Sequence, residues 1–110
     1  MDLNAYQRAA ARTINPEISV VEKILHALHG MVSEVGELHG LYQKIYQGHD
    51  LDEEHVKKEV GDLLWFIAEY CTAQGWTMEE IAQMNIDKLI ARYPQGFSAE
   101  RSINRQEGDI

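Results

Sequence analysis

The sequence predicts an all-α fold, an antiparallel bundle of four helices, and three observations carry the prediction. Apolar residues through the middle of the chain recur at three and four rather than at every second position. Only two prolines occur, Pro16 and Pro94, and they stand near the ends of that section. The breaks between periodic segments are short, at Gly48 to Asp52 and at Gly75 to Thr77, so successive helices must fold back on one another. No internal repeat and no low-complexity segment interrupts the pattern.

A first helix spans about Leu3 to Thr13 and is closed by Asn15-Pro16, because a residue before proline is pushed out of the helical region. The second begins near Ile18 and runs to about Tyr46, with Val21, Leu25, Leu28, Val32, Val35, Leu38, Tyr42 and Ile45 in helical register and Gly48 as its stop. Asp52 can cap the third helix, Glu53 and Glu54 suit its first turn, and Gly75 ends it after Gln74. Thr77 with Glu80 makes a capping box for a fourth helix, Met78 to about Arg92, terminated by Pro94 and Gly96.

With 110 residues, 45% of them hydrophobic and 25% charged, the chain reads as one domain over 1–110, in which about 98–110 form a polar tail that composition marks as flexible. A domain this small buries only about two thirds of the surface its unfolded chain exposes, so pairing with a second copy adds useful burial. Leu64, Trp65 and Ile67 spread beyond a single stripe of the third helix, and a homodimer or homotetramer is the expectation. The net charge of −8 argues against nucleic acid as a partner but not against a small phosphorylated ligand bridged to carboxylates by cations. A lone Cys71 in an apolar run suits a reducing cytoplasm and a role as a small buried hydrophobe. No basic-then-apolar leader and no stretch of roughly 20 apolar residues occurs, so neither export nor a membrane partner is expected.

The anomaly lies on the apolar faces. Glu34-Val35-Gly36-Glu37 sets two carboxylates one turn apart, on the face that also carries Ala27, Met31, Leu38 and Leu41. Glu59-Val60-Gly61-Asp62 repeats the arrangement on the third helix, beside Val56, Leu63, Phe66 and Tyr70. A single such pair is usually a solvated face; two matched pairs on the core stripes of adjacent helices are not. Carboxylates in an apolar setting must be protonated or compensated, so four of them converging call for cations. Oxygen-only ligands select a hard ion, Mg²⁺ with Mn²⁺ as a substitute. Gly36 and Gly61 would each cost about 1 kcal/mol inside a helix, and a close helix approach or metal access would explain them.

Asn85, Lys88 and Arg92 recur at three and four on the fourth helix, an amide, an ammonium and a guanidinium in one stripe that could hold phosphates. Trp65, Trp76, Tyr6 and Tyr70 could stack a base but suit a core equally well, and no base pocket is assigned. The five histidines form no Glu-x-x-His pair of the di-iron kind; His26 and His29 lie off the acidic face, where a surface or packing role is expected. No serine or cysteine nucleophile motif and no glycine-rich phosphate loop is present.

From about Ala5 to Phe97 the chain resembles the MazG-like nucleotide pyrophosphohydrolases of the all-α NTP pyrophosphatase superfamily. The likeness rests on Glu34, Glu37, Glu59 and Asp62 as E-x-x-E followed by E-x-x-D, on Leu63-Leu64-Trp65-Phe66, and on Asn85-Ile86-Asp87-Lys88-Leu89 with Arg92-Tyr93-Pro94. The resemblance makes the four acids the metal ligands and catalytic groups, and a carboxylate not fully committed to metal, Glu37 or Glu34, could accept the proton of the attacking water. It makes Asn85 and Lys88 the stronger phosphate contacts. It also implies dimers, or dimers of dimers, and cleavage of a nucleoside triphosphate at the α–β linkage to a monophosphate and pyrophosphate, in the manner of nucleotide-pool cleansing. Sister activities on the same scaffold, a dimeric deoxyuridine triphosphatase or a phosphoribosyl-ATP pyrophosphohydrolase, are the near alternatives. A non-catalytic nucleotide-binding module is the remote one, and the presence of all four acids counts against it.

Overall fold

A computed structural model describes residues 1–110 as five α-helices, α1 (Leu3–Ala11), α2 (Val20–Gln43), α3 (Glu53–Gln74), α4 (Met78–Arg92) and α5 (Ala99–Ile103), with a 3₁₀ turn at Lys44–Gln47. The all-α expectation is borne out. α2 starts at Val20 because Ser19 and Glu22 form a reciprocal capping box. Ser19 Oγ accepts from the Glu22 amide at 3.1 Å and Glu22 Oε1 accepts from the Ser19 amide at 3.0 Å. That S-x-x-E signature locates the start better than Pro16 does. Asp52 caps α3, accepting from the His55 amide at 3.2 Å, and Thr77 caps α4, accepting from the Glu80 amide at 3.1 Å. The Glu80 carboxylate accepts from the Thr77 hydroxyl at 3.3 Å rather than reaching the Thr77 amide, so the second capping box is only half made. Gly48 and Gly75 close their elements at φ of 91° and 76°, left-handed values that favour glycine.

The α2–α3 hairpin is the centre of the fold, and the short turn between them makes it antiparallel. Ala27 and Gly30 of α2 are buried against α3. A Cβ at Gly30 would enter the Phe66 ring, so this glycine permits the close helix approach. Gly36 and Gly61, for which a close approach or metal access was expected, have nothing near a prospective Cβ, so close approach is not their reason. Helix contact is tightest one turn before the first acidic pair, and beside both pairs the glycines leave open space. Gly30→Ala is therefore expected to destabilise the protein by about 1–3 kcal/mol through overpacking. A urea titration checks this, and an unchanged midpoint would mean that Phe66 can move aside.

α1 lies on α3, where Ala10, Ala68 and Cys71 join Met78 of α4 in the small core, with Tyr6, Leu64, Trp65 and Ile67 packed around it. Leu64, Trp65 and Ile67 are thus partly buried within the single chain. Trp65 Nε1 also donates to Thr13 Oγ1 at 2.8 Å. α1 supplies the partners for the free amides at the start of α4: Gln7 Oε1 accepts from the Met78 amide at 2.7 Å and Asn4 Oδ1 from the Glu79 amide at 3.3 Å. The main contacts of α4 are accordingly with α1. Composition marked the stretch from Phe97 as flexible; the structure places α5 there, with Ser98 Oγ accepting from the Arg101 amide at 3.3 Å and Asp109 paired to Arg92. Long-range pairing of this kind leaves no trace in composition.

The single chain is open. Its radius of gyration is 17.4 Å, against roughly 13 Å for a compact domain of about 100 residues. Only eight of 110 residues are buried. Val21, Leu25, Leu28, Val32, Val35 and Tyr42 of α2 are all exposed. So the helical stripe named from the sequence, Leu38 apart, is exposed, while Ala27, Gly30, Met31, Glu34, Leu38 and Leu41 carry the less exposed face. α2 therefore has two apolar faces, of which one chain satisfies one.

Candidate active site

The α2–α3 register brings the two acidic pairs together. Glu34, Glu59 and Asp62 each offer a carboxylate oxygen within 4.8 Å of the others. Glu37 stands one turn along α2, outside that group of three, and Glu59 beside it pushes its carboxyl above the usual range. Glu59 is buried and Glu34 half-buried, whereas Glu37 and Asp62 are exposed, so the cluster runs from the helix interface out to solvent. Convergence follows from spacing: a three-residue step keeps both acids of each pair on one face, and that face is the one α2 and α3 turn toward each other.

Electrostatics in the cluster follow from having too few donors. Glu34 Oε2 and Glu59 Oε2 are buried with no hydrogen-bond partner. The Glu34 carboxyl is pushed up to about 7, first by its hydrogen bond to Glu59, then by burial and by the negative charges of Glu59, Glu37 and Asp62. Glu37 is raised for the same first reason. Glu59 is lowered, because Glu34, Glu37 and His55 all hydrogen-bond to its charged form. The cluster thus keeps protons at a pH where isolated carboxylates would have lost them. Two unpartnered buried carboxylate oxygens in an all-oxygen donor set fit a hard divalent cation.

A pH dependence follows. Glu34 in the folded chain holds a proton up to about 7, while its ordinary value is 4.5. Over that interval the folded state binds more protons than the unfolded state, so stability falls as pH rises and levels off above it. The Tm of chelator-treated protein is expected to drop as pH rises between about pH 4.5 and about pH 7, and Glu34→Gln to flatten the slope. Parallel slopes in the two proteins would place the proton elsewhere.

Two contacts near the cluster escaped the sequence reading. His55 Nε2 lies 3.1 Å from Glu59 Oε1, an i,i+4 pair that holds this carboxylate while leaving Oε2 unpartnered. The His-x-x-x-Glu spacing was a visible signal. Glu69, only 1% exposed, meets His26 Nδ1 at 2.7 and 3.0 Å, beside the rings of Trp65 and Phe66. Glu69 stands seven residues after Asp62 and so shares its face; its pairing gives His26 the packing role expected of it. Tyr6 of α1 approaches the site as well: burial, and after it the Asp62 charge, push its phenol up.

The basic stripe is not gathered with the acids. Asn85 and Lys88 are exposed on α4, whose main contacts are with α1. Arg92 is held by Asp109 in a bidentate pair, with both distances 2.7 Å.

The chain is an all-helical protein in which paired carboxylates face one another across a helix hairpin, and comparison with known families gives that class its name. The family model described as "MazG nucleotide pyrophosphohydrolase domain" matches residues 22–97, a span that includes both acidic pairs and the Asn85 to Arg92 stripe. The chain belongs to this family. It is also similar to the Gene 37 protein of Mycobacterium phage L5, 26% identical over 114 residues that cover 96% of this chain and 100% of the relative. No solved structure matches the chain. No helix is long and apolar enough to cross a membrane.

Proposed function

We propose that the chain hydrolyses nucleoside triphosphates to nucleoside monophosphates and pyrophosphate, with Mg²⁺, or Mn²⁺ in its place, held by Glu34, Glu37, Glu59 and Asp62. One observation supports this reading: two buried carboxylate oxygens, on Glu34 and Glu59, have no donor where Glu34, Glu59 and Asp62 converge, with Glu37 one turn along α2. Bound there, a divalent ion would neutralise phosphate charge and ease ionisation of the attacking water. Glu59, steadied by His55, stays ionised and anchors the inner side of the cluster. Glu37 at the exposed edge, or Glu34 behind it, takes the proton of the water. Asn85 and Lys88 hold phosphate oxygens by charge-assisted and amide hydrogen bonds. Nucleotide-pool cleansing in the cytoplasm is the role this activity suits, and the net charge of −8 sets nucleic acid aside as a partner.

Two copies complete the fold in this reading. Val21, Leu25, Leu28, Val32, Val35, His39 and Tyr42 follow one another at alternating steps of four and three, which is the seam of a two-helix coiled coil. A seam exposed along this length on an open chain fits a second copy of itself, because a two-fold axis pairs one stripe with its own image. A homodimer is the unit proposed, with a homotetramer formed by pairing dimers.

The test is a screen of all ribo- and deoxynucleoside triphosphates with Mg²⁺, scoring pyrophosphate against phosphate release. Pyrophosphate release from at least one substrate is expected, weakened in Lys88→Ala without loss of helical circular dichroism. Release of phosphate alone, or no turnover of any substrate, overturns the reading.

A further inference from the structure

An acidic chain of net charge −8 gathers four of its ten basic side chains around one cavity. Lys88, Arg92, Arg101 and Arg105 line a space of about 280 Å³ between the end of α4 and the stretch from Arg101 to Asp109. Arg92 is the one member that is paired. Its Nε and Nη2 donate to the two carboxylate oxygens of Asp109, both at 2.7 Å, with side chains only 10% and 15% exposed. Lys88, Arg101 and Arg105 form no ion pair. The hydrogen bonds from Arg92, and beyond them the charges of Arg92, Arg105 and Lys88, hold the Asp109 carboxyl below the usual carboxylate range. Glu107 also lines the space, so two carboxylates share it with four cations, and of the two only Asp109 sits on the Arg92 fork.

This is the donor arrangement that recognises a phosphate group, filled by the chain's own carboxylate. Asp109 brings one negative charge and two oxygens. A phosphate brings close to two charges and three oxygens, so it can take the Arg92 fork and still meet Arg105 or Lys88. We propose that this cavity binds phosphate-bearing anions, with Asp109 as an internal occupant that the ligand displaces. The inference rests on the proposed function in one respect, that Lys88 meets phosphate. It adds Arg101 and Arg105 from a separate element, and it makes access to the site a competition with Asp109.

The shared chemistry admits two sources, free pyrophosphate and the triphosphate arm of a nucleotide, and both are titrated. The full chain is held in chelator, so that the acidic cluster cannot recruit ligand through a metal ion. In wild-type protein the NMR signals of Arg92 Nε–H and of the Asp109 carboxyl carbon are expected to move on addition of pyrophosphate. By calorimetry, Asp109→Asn should bind about tenfold more tightly than wild type, and the double variant Arg101→Ala, Arg105→Ala about tenfold more weakly. Saturation by triphosphate at lower concentration than pyrophosphate assigns the cavity to the nucleotide arm; the reverse assigns it to the free anion. Signals that stay fixed up to about 10 mM of either anion overturn the proposal, as do equal affinities in all three proteins. The NMR arm needs no variant, so poor folding of Asp109→Asn leaves the test intact. A protein that binds pyrophosphate here yet cleaves no nucleoside triphosphate refutes the proposed function and upholds this site; one that cleaves triphosphates with both signals unmoved refutes this site alone.

Discussion

Glu59→Gln and Asp62→Asn are expected to lose turnover by at least about a hundredfold while the metal-free proteins melt no lower than wild type. Both substitutions are near-isosteric, so packing is kept. Each removes one negative charge from a cluster whose members repel, and the Glu59 amide in addition offers a donor where Glu34 Oε2 has none. Glu34, no longer facing an ionised Glu59, should titrate closer to an ordinary carboxyl. Mg²⁺ should raise the wild-type Tm by mass action and raise that of the variants less. Steady-state kinetics and thermal melts with and without Mg²⁺ decide the matter. Wild-type rates in the variants, or equal Mg²⁺ effects on all three proteins, would remove the acidic cluster from the chemistry.

Charging the open stripe of α2 should be nearly as damaging by a different route. Leu28→Asp and Val32→Asp place a carboxylate in the middle of the proposed seam, where two-fold pairing would bring it close to its own copy. Both side chains are exposed in the single chain, 43% for Leu28 and 75% for Val32, so the monomer itself should tolerate the change. Light scattering is expected to show wild type as a dimer or tetramer and the variants as monomers at micromolar concentration, with activity lost alongside. A monomeric wild type would leave the stripe without the partner proposed for it. Dimeric variants would move the interface to another face, for example to the exposed Ile81, Met84 and Ile90 of α4.

Much of the candidate site was legible because its determinants are local. A three-residue step places two side chains on one helix face whatever surrounds the helix, so Glu34 with Glu37 and Glu59 with Asp62 could be paired from spacing alone. That the two pairs meet needed one further step, the short turn from Gly48 to Asp52, which makes α2 and α3 antiparallel neighbours. The caps at Asp52 and Thr77 and the stops at Gly48 and Gly75 are likewise local, since each depends on a side chain or a φ value within one turn. The Ser19 to Glu22 box and the His55 to Glu59 spacing were equally local.

Other features depend on residues far apart in the chain, and spacing does not encode them. Which of two apolar faces of α2 turns inward is decided by fit: Gly30 lets α3 approach through Phe66, and the bulkier stripe from Val21 to Tyr42 is left outside. Leu64, Trp65 and Ile67 look unpartnered until the small core beside α1 partly buries them, and α1 is tied to α4 by Asn4 and Gln7, more than seventy positions from the amides whose hydrogen bonds they accept. Arg92 reads as a free phosphate contact until Asp109, seventeen residues on, takes its guanidinium. The sequence by itself determined four of the five helices, their order and the two acidic pairs, because periodicity and capping act over three or four residues. Only the tertiary structure decided which faces are satisfied, because side-chain packing and long-range hydrogen bonds depend on what the fold happens to bring alongside.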